Sequence, residues 1–285
     1  MRRSMLAVGV TVLLLEFVHG SCARPQEIGY SGVSQTIPFE LTSGFLVSVD
    51  VRIGNLSGLK FIVDTGATHS FINRKLADRL RLERRAGVVV NFDRHTPIEW
   101  VNIPDLSVGP TQFGGIRAMV TNLSGYSELA KQADGIIGLD LLTRSAKFSI
   151  DFEKGLLTFY RPLDGASDDA PASKCFVIPL VVQGFPIHLV VDTGVQGIVL
   201  YRDHLRKGLP LMRTEGPSIN VKTGRVHATQ VRLPGVRIAG PEVVASVLLI
   251  EGPAGDALHE VDGYIGPAAL QAKRVTFDFH KGIFS

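Results

Sequence analysis

Two tripeptides carry the chemistry of this sequence. Asp64-Thr65-Gly66 closes the apolar run in FIVDTGATHSFI (Phe61 to Ile72), and Asp192-Thr193-Gly194 closes a similar run in LVVDTGVQGIVL (Leu189 to Leu200). A lone carboxylate at the end of a buried strand is costly. Two brought into contact share a proton, because adjacent carboxylates cannot both ionise easily. One member is then a base and the other an acid near the same point. That pair can activate a water and protonate a carbonyl oxygen or a leaving amine. Gly66 and Gly194 let backbone amides approach the carboxylates, since no Cβ intervenes. Thr65 and Thr193 can hydrogen-bond across the junction and hold it rigid. For one isolated Asp-Thr-Gly the simpler reading is a turn, because Asp and Gly both favour turns.

Repetition argues against that simpler reading. Downstream of the first tripeptide lies DGIIGLDLL (Asp134 to Leu142), and downstream of the second lies DGYIGPAAL (Asp262 to Leu270). Both pairs of motifs are offset by 128 residues (192 − 64 and 262 − 134). FSIDFEKGLLTF (Phe148 to Phe159) matches VTFDFHKGIF (Val275 to Phe284), and VNIPDLSVG (Val101 to Gly109) resembles VRLPGVRIAG (Val231 to Gly240). The chain therefore reads as two homologous halves. If they pack about an approximate two-fold axis, equivalent residues meet near it, and Asp64 faces Asp192.

The elements that must position the acids are strands. In FLVSVDVRIG (Phe45 to Gly54) apolar residues alternate with Ser48, Asp50 and Arg52, a turn follows at NLSG, and LKFIVD leads into Asp64. CFVIPLVV, a turn at Gln183-Gly184 and FPIHLVVD repeat that hairpin before Asp192. Two further hairpins are expected between the motifs of each half. One spans Val88 to Val101 with its tip at Asp93, Arg94, His95 and Thr96; the other spans Ser218 to Leu233 with its tip at Thr223 and Gly224. Short helices are expected at INRKLADRL (Ile72 to Leu80), LDLLTRS and PAALQAK. The organisation is a segment 1–23, a polar lead-in 24–36, a first lobe 37–163, a linker 164–173 (DGASDDAPAS lies here) and a second lobe 174–285.

Val63-Asp64-Thr65-Gly66-Ala67 with Ile136-Ile137-Gly138, and Val191-Asp192-Thr193-Gly194 with Tyr264-Ile265-Gly266, resemble the motifs of aspartic peptidases of the retropepsin/pepsin superfamily. The chain is similar to single-chain bacterial members of the aspartyl protease family, with lobes about the size of a retroviral protease subunit. The resemblance covers nearly all of the chain beyond the lead-in. It implies an all-β acid-protease fold with a few short helices: two homologous β-barrel-like lobes related by a pseudo-two-fold axis. It implies Asp64 and Asp192 as the dyad holding the lytic water, with Thr65 and Thr193 as an interlobe grip supported by Gly66 and Gly194. The hairpin tips near Asp93, Arg94, His95, Thr223 and Gly224 would close over a peptide or protein substrate. No cofactor or metal is required. The substrate would lie extended, bonded through its backbone to strand edges.

The second copy departs from the pattern at Val195, which is bulky and β-branched where Ser, Thr or Ala is usual, and at Pro267. Neither Ala67 nor Val195 can donate a hydroxyl hydrogen bond to the ionised dyad, so a less acidic pH optimum is expected than with Ser or Thr there. These departures keep open a rival of another class: an exported aspartic-protease-like domain that binds peptides or an envelope partner with weak or no catalysis. The intact pair of acids favours the enzyme.

Composition bounds the rest. With 285 residues, 45% of them hydrophobic, the chain can build a sizeable core. A net charge of +3 without a basic run argues against nucleic acid as a partner. Arg2 and Arg3, the apolar stretch Met5 to Leu15 and Ser21-Cys22-Ala23 form the pattern of a secretory signal peptide, which places the mature chain outside the cytoplasm: periplasmic, extracellular or envelope-associated. Cys22 also raises a lipid tether, though His19 stands where a lipobox carries an aliphatic residue. Cys175 is left without a disulfide partner and reads as a small buried hydrophobe. His69 and His188 read as surface or packing residues, no Cys/His group has zinc spacing, and the protein is expected to act as a monomer, an internal pseudo-dimer.

Overall fold

The computed structural model describes residues 34–91, 94–123, 132–160, 175–213, 219–221, 226–238, 242–251 and 261–285. The segment expected to be a signal peptide, Cys22, the expected linker and the expected hairpin-tip residues Asp93, Thr223 and Gly224 lie outside the described residues.

The first lobe is built on an eight-stranded sheet. Across it the strands run Glu40–Thr42, Leu46–Ile53, Leu56–Val63, Gly135–Ile137, Phe71–Asn73, Thr111–Thr121, Arg94–Val108 and Arg84–Asn91. The second lobe repeats the order from its first hairpin onward: Val177–Val182, Phe185–Val191, Gly263–Ile265, Ile198–Tyr201, Val243–Glu251, Val226–Val236 and Met212–Arg213, with Ile219–Val221 also paired to Val226–Val236. The equivalence of the lobes read from the sequence repeat is thus present strand for strand.

Each lobe inserts a short strand between its Asp-Thr-Gly strand and the next one. Phe61 to Val63 pair parallel with Gly135 to Ile137, which pair antiparallel with Phe71 and Ile72. Leu189 to Val191 pair parallel with Gly263 to Ile265, which pair antiparallel with Ile198 to Leu200. This interposed strand fixes where each acid ends up. Ile137 accepts a hydrogen bond from the Asp64 amide at 3.0 Å, and Ile265 accepts one from the Asp192 amide at 2.9 Å.

The lobes are joined by a five-stranded sheet of their terminal hairpins, ordered Ser34–Pro38, Leu156–Tyr160, Lys147–Asp151, Arg274–Asp278 and Ile283–Phe284. Lys147–Asp151 of the first lobe pairs antiparallel with Arg274–Asp278 of the second, with Ser149 opposite Thr276 at the centre. The alternation in FSIDF and VTFDF puts Phe148 and Phe277 on one face, where their rings stack at 4.6 Å, and Phe176 packs edge-on to Phe277 at 5.5 Å. The sheet begins at Ser34, so residues 34–36, expected in the lead-in, form its first strand.

Helix is scarce. Arg74–Arg79 is helical, capped by the Asn73 side chain, which accepts from the Lys75 amide at 3.2 Å. Ile72 and Asn73, expected inside that helix, belong to the preceding strand. Leu139–Leu142 forms one turn. The helix expected at PAALQAK is instead a run of turns, ending at Gln271 with φ of 52°. The Ala269, Leu270 and Gln271 amides there bond carbonyls three residues back, to Gly266, Pro267 and Ala268, so the segment forms successive tight turns.

Candidate active site

Asp64 and Asp192 are 1% and 2% exposed and meet at the junction of the lobes. Their turns are locked by a reciprocal set of bonds. The Thr65 amide donates to Thr193 Oγ1 at 3.0 Å and the Thr193 amide donates to Thr65 Oγ1 at 3.1 Å. Each hydroxyl in turn donates across the junction, Thr65 Oγ1 to the Val191 carbonyl at 2.9 Å and Thr193 Oγ1 to the Val63 carbonyl at 2.7 Å. All four bonds are buried and all join one lobe to the other. The two threonines singled out from the sequence are the grip.

The glycines are required by proximity. A Cβ on Gly66 would overlap the Asp192 carboxylate, and one on Gly194 would lie 2.9 Å from Asp64 Oδ2. Each tripeptide's glycine therefore makes room for the other lobe's acid. Gly138 and Gly266 serve a similar purpose behind the two turns: a Cβ would run into the backbone of His69 and of Val195 respectively.

The carboxylates are not held alike. Asp64 Oδ1 accepts from the Gly66 amide at 2.8 Å and from the Ala67 amide at 3.1 Å. Asp192 Oδ1 accepts from the Gly194 amide at 2.7 Å and the Gly66 amide of the first turn also favours its charged form, but the Val195 amide of its own turn bonds the Asp192 backbone carbonyl at 3.2 Å. Burial pushes both acids above the ordinary carboxylate range, Asp192 furthest, because the charge of Asp64 adds to its burial. The two side chains are hydrogen-bonded to each other, so the pair shares one proton. Cys175 is half-buried near both acids, and burial followed by their charges pushes its thiol up to about 12.

A second network backs the first turn. Ser70 Oγ donates to Asp140 Oδ1 at 2.7 Å and accepts from the Gly138 amide at 3.0 Å. The Asp140 amide donates to the Thr68 carbonyl at 3.1 Å, and the Leu139 amide to the Ala67 carbonyl at 2.8 Å. His69 bonds Thr68 Oγ1 through Nδ1 at 3.0 Å and packs edge-on against Trp100, with ring centroids 5.2 Å apart. Trp100 stands on the second strand of the hairpin of Arg84–Asn91 and Arg94–Val108, and Arg117 lies over its ring at 4.2 Å. Gly87 on the first strand leaves room for the indole, since a Cβ there would lie 2.5 Å from Trp100 Nε1. His69 is thus a packing residue that links the first active-site turn to its hairpin. None of Ser70, Asp140, Trp100 or Arg117 was singled out from the sequence.

Both expected hairpins form in the backbone. Arg84–Asn91 pairs with Arg94–Val108, and Ile219–Val221 pairs with Val226–Val236. Arg94 and His95, expected at a tip, are paired strand residues opposite Asn91 and Val90. Among the described residues no group of three or more His, Cys, Asp or Glu is placed to hold a metal ion, and no helix is long and apolar enough to cross a membrane.

Comparison with known proteins finds one family and several solved structures that the chain resembles. Residues 49–141, which include the first Asp-Thr-Gly and Ile136-Ile137-Gly138, match the family model described as aspartyl protease. Similar solved structures include a retropepsin-like aspartic protease from Rickettsia conorii, at TM-score 0.33 and 20% identity, covering 48% of this chain and 100% of that one. Another is conglutin gamma, a basic 7S globulin from lupine seeds, at TM-score 0.42 and 11% identity, covering 89% of this chain and 94% of that one. No curated protein sequence matches the chain. The architecture is all-β with a few short helices among the described residues, and the family match over residues 49–141 agrees with the resemblance to retropepsin-like aspartic peptidases read from the motifs.

Proposed function

We propose that this protein is an aspartic endopeptidase that hydrolyses peptide bonds with a water held between Asp64 and Asp192. The observation that carries the reading is the meeting of two buried, hydrogen-bonded carboxyl groups at the end of equivalent strands, clamped by reciprocal threonine bonds. Asp64, with two backbone donors, is the ionised partner and takes a proton from the water as it attacks the scissile carbonyl carbon. Asp192 gives its proton to the carbonyl oxygen, which becomes a hydroxyl of the tetrahedral intermediate. Collapse of that intermediate breaks the C–N bond, the departing nitrogen gains a proton, and the pair returns to sharing one. The substrate lies extended between the lobes, under the hairpins at residues 84–108 and 219–236. The protein works as an exported monomer on peptides or proteins.

Val195 is the one feature on the side of a domain that binds without cutting, because the second turn withholds a donor from its acid. It leaves both acids in place, and a binding-only relative has no use for them. Wild type, Asp64→Asn and Asp192→Asn, each incubated with a mixed peptide library with and without pepstatin, decide the matter. Cleavage by wild type should fall about a thousandfold or more in either variant. Equal cleavage by all three, or none by any, sinks the reading.

A further inference from the structure

The two active-site turns share a tripeptide but not a support. In the first lobe Ser70 and Asp140 bridge the stretch after Gly66 to the segment after Gly138. Ser70 is buried, at 4% exposure, and the half-buried Asp140 is bonded to it. In the second lobe the equivalent positions, 128 residues on, are Ile198 and Ala268, neither of which can bond. There the Gly266 amide takes the Gly197 carbonyl instead, at 2.8 Å. The turn with the Ser70–Asp140 bridge aims two amides at its catalytic carboxylate; the turn without it aims one.

The route from bridge to carboxylate is short. Asp140 holds the Thr68 carbonyl through its own amide, and the neighbouring Leu139 amide holds the Ala67 carbonyl. Ala67 and Thr68 are therefore fixed from behind. The Ala67 amide, on the opposite side of the same residue, reaches Asp64 Oδ1 at 3.1 Å. Val195 has no such support and its amide has swung away to Asp192's own carbonyl.

We propose that Ser70 and Asp140 are positioning residues of the first half-site, holding the Ala67 amide on Asp64 so that Asp64, and not Asp192, serves as the base. The proposal rests on the dyad reading above. Neither residue touches the reacting atoms. The pair acts through the backbone of residues 67 and 68, and it makes a two-fold fold chemically one-sided.

Loss of a donor from a carboxylate favours its neutral form. Catalysis needs one member of the dyad ionised, so removing the bridge moves the acid limb of the pH–rate profile to higher pH. The titratable groups facing Asp64 are Asp192 and Cys175, and His69 faces Asp140; none of these is altered in the test.

The experiment measures kcat and KM against pH for wild type and Ser70→Ala on a peptide that wild type cleaves, beside Asp64→Asn. Ser70→Ala is expected to lower kcat about tenfold with KM within about twofold, the signature of a misplaced catalytic group. Its acid limb should move up by about half a pH unit to one unit. Should Ser70→Ala not fold, Ser70→Cys, which fills the same space with a weak donor, should show the same displacement to a smaller extent. A profile that superimposes on wild type, or a loss of kcat that only tracks the folded fraction, overturns the proposal while the dyad reading stands. No wild-type cleavage, or cleavage untouched by Asp64→Asn, overturns the dyad reading and the proposal with it.

Discussion

The turn at Asp64 and the turn at Asp192 are one sequence motif in two settings. Strand order, the interposed strand and the threonine bonds are the same in both. What differs lies just behind the tripeptide: Ala67, His69, Ser70 and Asp140 in one lobe, Val195, Gly197, Ile198 and Ala268 in the other. The asymmetry extends outward along the sheet. Pairing register places Gln230 where the first lobe has Trp100, and Ser246 where it has Arg117. An aromatic ring covered by a cation on one side is answered by a Gln230–Ser246 hydrogen bond of 2.8 Å on the other. The repeat provides two matching half-sites, and the residues behind them give each carboxyl group a different setting.

Five substitutions break or sharpen this comparison. The largest effect is expected from the glycines. Gly66→Ala drives a methyl group into the Asp192 carboxylate, whereas Gly194→Ala meets Asp64 at 2.9 Å and can be met by a small shift. Peptide-cleavage kinetics should therefore show about a hundredfold loss in kcat/KM for Gly66→Ala and a clearly smaller one for Gly194→Ala. Equal losses would mean the close approach is not one-sided. Next come the threonines, where the lobes are alike. Thr65→Ala and Thr193→Ala each remove one donated and one accepted buried bond. Urea denaturation should find each less stable by about 2 kcal/mol, and by similar amounts. The smallest effect is at Val195. Val195→Thr offers the second carboxylate a hydroxyl donor, which favours its ionised form. The alkaline limb of the pH–rate profile should then move to lower pH by less than about one unit. An unmoved limb would mean that residue 195 does not reach the charge.

What could be read from the sequence was whatever the repeat recorded. Asp64, Asp192, Thr65 and Thr193 sit in tripeptides copied at a fixed offset, and a fixed offset in two packed halves implies a shared axis. The hairpins before each acid followed from alternation. The Ser70–Asp140 bond was not visible, because it joins ordinary polar residues 70 positions apart, and only the folded strand order brings them together. The PAALQAK helix was misread because local propensity favoured it, whereas its amides bond carbonyls three residues back and the run ends at Gln271 with positive φ. The Trp100–Arg117 contact depends on cross-strand register, which no single strand's pattern fixes.

The sheet that joins the lobes bears on when the two lobes can be held together. Its central pair brings Lys147–Asp151 against Arg274–Asp278, and its outer strands are Ser34–Pro38 and Ile283–Phe284. Chain emerging from a ribosome can close the first lobe's main sheet early, since all its strands lie before residue 138. The junction waits for residues 274–278, and contacts at such separation form late. A chain in which that pair has not formed lacks the sheet that spans both lobes, and the dyad turns are then held together by the buried threonine bonds alone.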